Sequence, residues 1–170
     1  LQPTDPRLRT MVAVAGFGRG DDAPVFDALA RIAADTPDTS ADLAIFHAHM
    51  ARSQHREALK TLAQLERKLP QDATPAQLRG QVQMAMRQPA QARQSFEQAL
   101  ALQPGHGPSL LALSALDVRE GQAAQARQRL ANAVKADPRN ATARLALAEV
   151  LQHQQAPAAD VRAQITAAVQ

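Results

Sequence analysis

Apolar and small residues recur along this chain at spacings of three and four, the pattern of helices that each bury one stripe. The clearest stripe runs through Ala92, Phe96, Ala99 and Leu100. Stacking the chain on itself at a 34-residue offset aligns Ala58, Ala92 and Ala126, and four residues later Leu62, Phe96 and Leu130. Seven residues after the alanines come Leu65, Ala99 and Ala133, and twelve after them Pro70, Pro104 and Pro138. Each period is long enough for two helices, and a proline closes the second. The pattern predicts regular units at 39–72, 73–106 and 107–140, a degenerate unit at 5–38 and a shifted or partial one at 141–170. The expected fold is all-α: one right-handed superhelical solenoid of antiparallel helix hairpins over residues 1–170, with about five hairpins and ten helices.

Local signals refine each unit. In 73–106, Thr74-Pro75-Ala76-Gln77 reads as a capping box that starts a helix running to about Arg87, Pro89 opens its partner, and Pro104-Gly105 ends it. Gly80 stands where two helices must touch, and Ser114 takes that place in 107–140, where Gly121 closes the first helix. In 39–72 the caps are Thr39 and Ser40, the apolar positions include Leu43, Ile45, Phe46 and Met50, and Phe46 fills the small-residue slot, which predicts a slightly opened hairpin. The degenerate unit offers Leu8, Met11, Val12 and Ala15, a turn over Gly16 to Asp21, then Val25, Leu29 and Ile32, with Pro37 one residue out of phase. In the final unit Leu145, Ala148 and Leu151 mark one helix and Val161, Ile165 and Ala168 another, displaced around Ala156-Pro157. An apolar strip near Val161 and Ile165 is expected to stay open, for a continuation of the array or for self-association through the C-terminal helix.

Composition narrows the function. The chain is 45% hydrophobic with four Phe and no Trp or Tyr, so alanine lines much of the interior. A net charge of +3 with interleaved signs and few aromatics argues against nucleic acid. There is no cysteine, which leaves the redox compartment undetermined; with no apolar run long enough for membrane insertion and no signal-peptide pattern at Leu1, the chain reads as a segment, and an export signal or lipid anchor, if its parent carries one, is not in it. No nucleophile stands beside a base, and acidic residues are expected at caps and on outer faces, so no catalytic residue and no cofactor is predicted. His47 and His49 are two apart and His55 lies beyond the turn, which disfavours a metal site. Gly16-Phe17-Gly18-Arg19-Gly20 reads as a helix–helix turn, Arg19-Gly20-Asp21 as an incidental tripeptide with Asp21 or Asp22 capping the next helix, and Asn140 of Asn140-Ala141-Thr142 as a helix cap.

The 34-residue period with its small residue and closing proline resembles the tetratricopeptide repeat. That resemblance implies a groove on the inner face of the first helices, lined from repeat positions 2, 5, 9, 12 and 13. Here these are His47 and Met50; Thr74, Gln77, Gln81 and Met84; Leu111, Ala115, Val118 and Arg119; and Leu145, Glu149, Gln152 and His153. The carboxylate clamp of chaperone-binding members is absent, since Leu43, His47, Gln81, Leu111 and Ala115 occupy its places. The lining fits a protein or peptide partner, an extended or helical segment with apolar side chains whose backbone the glutamines bond. Solvated surface is the alternative for the same residues.

A narrower likeness runs through Leu65-Glu66-Arg67-Lys68-Leu69-Pro70, Leu78-Arg79-Gly80, Ala92 to Leu100 and Pro108 to Leu113, then Leu116-Asp117, Ala126 to Leu130, Lys135 to Asn140 and Leu145 to Glu149. Over about residues 40–165 the chain resembles the PEP-CTERM system TPR-repeat lipoproteins of the PrsT type. The resemblance implies a non-enzymatic extracytoplasmic array, periplasmic or attached to the outer membrane, tied to exosortase sorting and to exopolysaccharide or biofilm assembly. The lipid-attachment cysteine and most of such an array are not in this sequence. A cytoplasmic assembly or secretion chaperone and a polysaccharide-binding module are the competing readings, the latter disfavoured by the missing aromatic platforms.

Overall fold

The structure, a computed structural model, describes residues 5–18 and 22–169. The segment before Asp5 and the tripeptide Arg19-Gly20-Asp21 lie outside the described residues. Ten helices and no strand occur among the described residues: α1 (Pro6–Val14), α2 (Ala23–Asp35), α3 (Ser40–Ala51), α4 (His55–Lys68), α5 (Ala73–Ala85), α6 (Pro89–Leu102), α7 (Gly107–Arg119), α8 (Ala123–Ala136), α9 (Ala141–His153) and α10 (Ala158–Ala168). The chain divides after Pro70 into two compact units.

The first unit holds α1 to α4. Here α1 pairs with α2, α3 with α4, and both α1 and α2 lie against α3. Leu29, Ile32, Ala33, Ala41 and Ile45 form its core, with Phe17, Val25 and Phe26 packed on it. Leu8, Met11 and Val12, expected as the buried stripe of α1, point outward, with Met11 and Val12 exposed by 68% and 67%. The inner side of α1 is set instead by Thr10, whose hydroxyl donates to the Pro6 carbonyl, and by Ala13. Phe46 is fully buried in the slot that glycine takes elsewhere.

The second unit holds α5 to α10 as three consecutive hairpins, α5–α6, α7–α8 and α9–α10, each second helix also packing on the next first helix where one follows. The α5–α6 pair is the most closely apposed, because Gly80 has no side chain: a Cβ there would sit 2.4 Å from the Phe96 ring. Ala92, Phe96, Leu113 and Leu116 make one cluster, and a larger one gathers Leu110, Ala126, Leu130, Ala143, Leu147 and Leu151. The repeat residues therefore sit where the period placed them: Ala58, Ala92, Ala99, Ala126 and Leu130 are fully buried, Ala133 packs on the larger cluster, and Pro70, Pro104 and Pro138 each stand two residues beyond a helix end.

Turns inside the hairpins share one geometry. Ser53, Arg87, Gly121 and Gln155, all at repeat position 15, have φ of 56°, 59°, 77° and 55°. In each, the following amide donates to a carbonyl five residues back, as Gln88 to Gln83 at 2.8 Å and Gln122 to Asp117 at 2.7 Å. These are Schellman motifs, in which one left-handed residue lets two amides satisfy the last helical carbonyls. The short connection then returns the chain as an antiparallel neighbour.

The helix starts differ from the sequence reading in who does the capping. Asp72, not Thr74, accepts from the Thr74 amide at 2.7 Å, and Gln77 is buried instead of reaching back. Asp38 accepts from the Ser40 amide at 2.9 Å, while Thr39 makes no cap bond. Asp22 accepts from Gly18 and pairs with Arg52. Asn140 caps α9 as read, taking the Ala143 amide at 2.9 Å.

Candidate functional site: a groove between two first helices

Each first helix of the second unit spends one side on its hairpin partner and leaves another to its neighbours. Between α7 and α9 the exposed sides meet in a groove of about 360 Å³. From α7 come Leu111, Ser114, Ala115, Val118 and Arg119; from α9 come Ala146, Glu149, Val150 and His153. Both sets follow the spacing of one helical side, three and four residues apart.

The floor is aliphatic. Val150 and Ala146 belong to the buried cluster and Val118 packs against it, so the floor is rigid, whereas Leu111 stays 42% exposed at one end. Ser114 is buried in this floor, and its hydroxyl has no hydrogen-bond partner among the described residues. Arg119 and Glu149 are exposed on the rim, and neither has an ion-pair partner among the described residues.

Six of the residues expected to line a partner groove are thus brought together: Leu111, Ala115, Val118, Arg119, Glu149 and His153. Leu145 and Gln152 are exposed on α9 outside it. On α5, Gln77 is buried, Met84 packs beside the Phe96 cluster, Thr74 is half-buried at the helix start and Gln81 is exposed. In the first unit His47 is exposed, edge-on to Phe46 with ring centroids 5.2 Å apart, and Met50 is half-buried. Ser114, Ala146 and Val150 line the groove without having been read from the sequence. The cause is geometric: a groove between two helices takes positions 5, 8, 9, 12 and 13 from the leading helix but 6, 9, 10 and 13 from the trailing one.

Two buried carboxylates also depart from the sequence reading, which placed acids at caps and outer faces. Asp117 on α7 is fully buried between Arg93 of α6 at 2.6 Å and Arg129 of α8 at 3.3 Å. The Asp117 hydrogen bond and charge hold the Arg93 guanidinium above its ordinary value. Asp42 on α3 receives Lys68 at 2.6 Å, and the same ammonium reaches the Ala33 carbonyl at 2.7 Å. Both carboxylates tie three helices together, so they are structural joints. No group of three potential metal ligands occurs among the described residues, and no helix is long and apolar enough to cross a membrane.

Comparison with known proteins agrees with the period. Residues 83–131 match the family model of the tetratricopeptide repeat, and no curated protein matches the chain. A thermophilic TPR protein of Thermus thermophilus superposes with a TM-score of 0.62 at 16% identity, over 97% of this chain and 90% of that one. PilF of Pseudomonas aeruginosa gives 0.66 at 14% identity, over 96% and 75%. YrrB, described as a TPR protein with an unusual peptide-binding site, gives 0.55 at 14% identity, over 97% and 85%. At such identities the likeness is one of fold.

Proposed function

We propose that this tetratricopeptide-repeat chain is a non-enzymatic protein–protein interaction scaffold whose α7–α9 groove holds a peptide segment of a partner. The observation that carries the reading is the groove itself: an aliphatic floor anchored in the core, bordered by Arg119 and Glu149, which have no ion-pair partner among the described residues. Its volume lies at the low end of roughly 300–1,000 Å³ typical of ligand sites, which suits a few side chains of a segment and not a whole domain face. The peptide-binding site named for YrrB gives the same fold a precedent.

In its wider setting we place the chain in an extracytoplasmic array, periplasmic or attached to the outer membrane, serving PEP-CTERM/exosortase sorting and exopolysaccharide or biofilm assembly. What supports this setting is the residue resemblance over about 40–165. The test is affinity capture from an extract of the source organism with the immobilised chain, an Ala115→Arg variant that fills the groove and a Gln94→Arg control on exposed α6 surface. Both positions are exposed, so melting temperatures should match the parent. A protein retained by parent and control but lost with Ala115→Arg supports the reading, and its identity tests the exosortase setting. Capture unaffected by the groove variant would refute the groove as the site.

A further inference from the structure

The groove has a direction. Glu149 stands at repeat position 9 of α9, while Arg119 of α7 and His153 of α9 both stand at position 13. Leu111, at position 5 of α7, keeps the opposite end apolar. Along its length the surface therefore presents aliphatic, then acidic, then basic groups. The two charged levels are four helical residues apart, about 6 Å along the axis at 1.5 Å per residue.

We infer that the partner is an extended segment carrying an aliphatic, a basic and an acidic residue in that order on alternate positions, Leu-x-Lys-x-Asp or its reversed-direction equivalent Asp-x-Lys-x-Leu. This rests on the peptide-binding reading above and adds the partner's chemistry to it. Same-face residues of an extended chain recur about every 6.7 Å, which matches the spacing between the levels of Glu149 and Arg119. Arg119 and Glu149 gain counter-ions that they lack among the described residues. A purely acidic, purely basic or purely apolar peptide leaves at least one of these groups unmatched.

The order of charges relative to the aliphatic residue is independent of chain direction, and this makes the inference testable. Three peptides built on Leu-x-Lys-x-Asp, Leu-x-Asp-x-Lys and Leu-x-Leu-x-Leu, with serine at x, are titrated into the isotopically labelled chain while amide shifts are followed. Leu-x-Lys-x-Asp should perturb 111–119 and 146–153 and bind at least fivefold more tightly than the swapped peptide. In Arg119→Glu with Glu149→Lys, two exposed substitutions, the preference should reverse at unchanged melting temperature. Equal binding of all three at the groove, or a preference that survives the charge exchange, overturns the charge order but leaves a peptide groove standing. Failure of all three to shift these residues overturns the groove reading as well.

Discussion

At the scale of single residues, Gly80 and Phe96 show how little room the hairpin leaves. Any side chain at 80 meets the Phe96 ring, which is itself buried against Leu113 and Leu116. Gly80→Ala should therefore cost about 1–3 kcal/mol through overpacking, even though alanine is the better helix former. Phe96→Leu in the same chain should return part of that loss, because the clash is with the ring and not with backbone. Thermal denaturation of the two single variants and the double decides it: additive losses would mean that the two positions do not share their space. The sequence made this contact legible because glycine inside a helix needs a reason. It gave no warning of Asp117, whose burial between two arginines depends on side chains reaching from α6 and α8. Nor did it show the orphan hydroxyl of Ser114, since a small residue there is explained equally well by packing.

Among elements, the hairpin turn is the most regular feature of the molecule and the least regular in sequence. Position 15 is left-handed in four consecutive units, yet only one of the four residues, Gly121, is a glycine. The other three are held there by the Schellman hydrogen bonds against a cost of about 1–2 kcal/mol for an L side chain in that region. Arg87→Gly and Gln155→Gly should each raise stability by a few tenths to about 1 kcal/mol, the gain tempered by the greater freedom of glycine in the unfolded chain. Gly121→Ala should lower it by about 1 kcal/mol. Chemical denaturation of the three variants tests the set, and a loss in Arg87→Gly would show that its side chain, not the turn, sets the balance. Helix existence and pairing were readable from the period because burial imposes it. Caps were less so: an aspartate two residues ahead of a threonine or serine can accept that residue's amide and begin the helix earlier, as Asp72 does with Thr74 and Asp38 with Ser40. The groove was half legible for a similar reason, since the period fixes which helices line it but not which side of the trailing helix faces inward.

For the whole molecule, the ionisable groups set a stability profile with two separate descents. The Asp38 carboxyl lies below its ordinary value through hydrogen bonds from Ser40, and that of Asp72 through hydrogen bonds from Thr74. Their unfolded forms bind protons first as pH falls, so the stability they contribute is complete above about pH 4 and is lost as pH drops through the lowered native values. His106 behaves differently. Its imidazole, which shares a hydrogen at 3.0 Å with Ser109, is pushed down by burial and partly pulled back by the charge of Asp72. The folded ring prefers to be neutral, so its contribution is complete above about pH 6.5 and declines as the solution is acidified below that. Melting temperature followed from pH 8 to pH 3 should therefore show a shallow decline beginning near pH 6.5 and a steeper one below pH 4. His106→Gln should flatten the first and leave the second. Asp72→Asn should deepen the first, because the opposing charge is gone, while weakening the α5 cap at every pH above the acid limb. If His106→Gln keeps the parent's slope between pH 5 and 6.5, the decline there belongs to other groups, and burial of this ring is not what links the molecule's stability to mild acid.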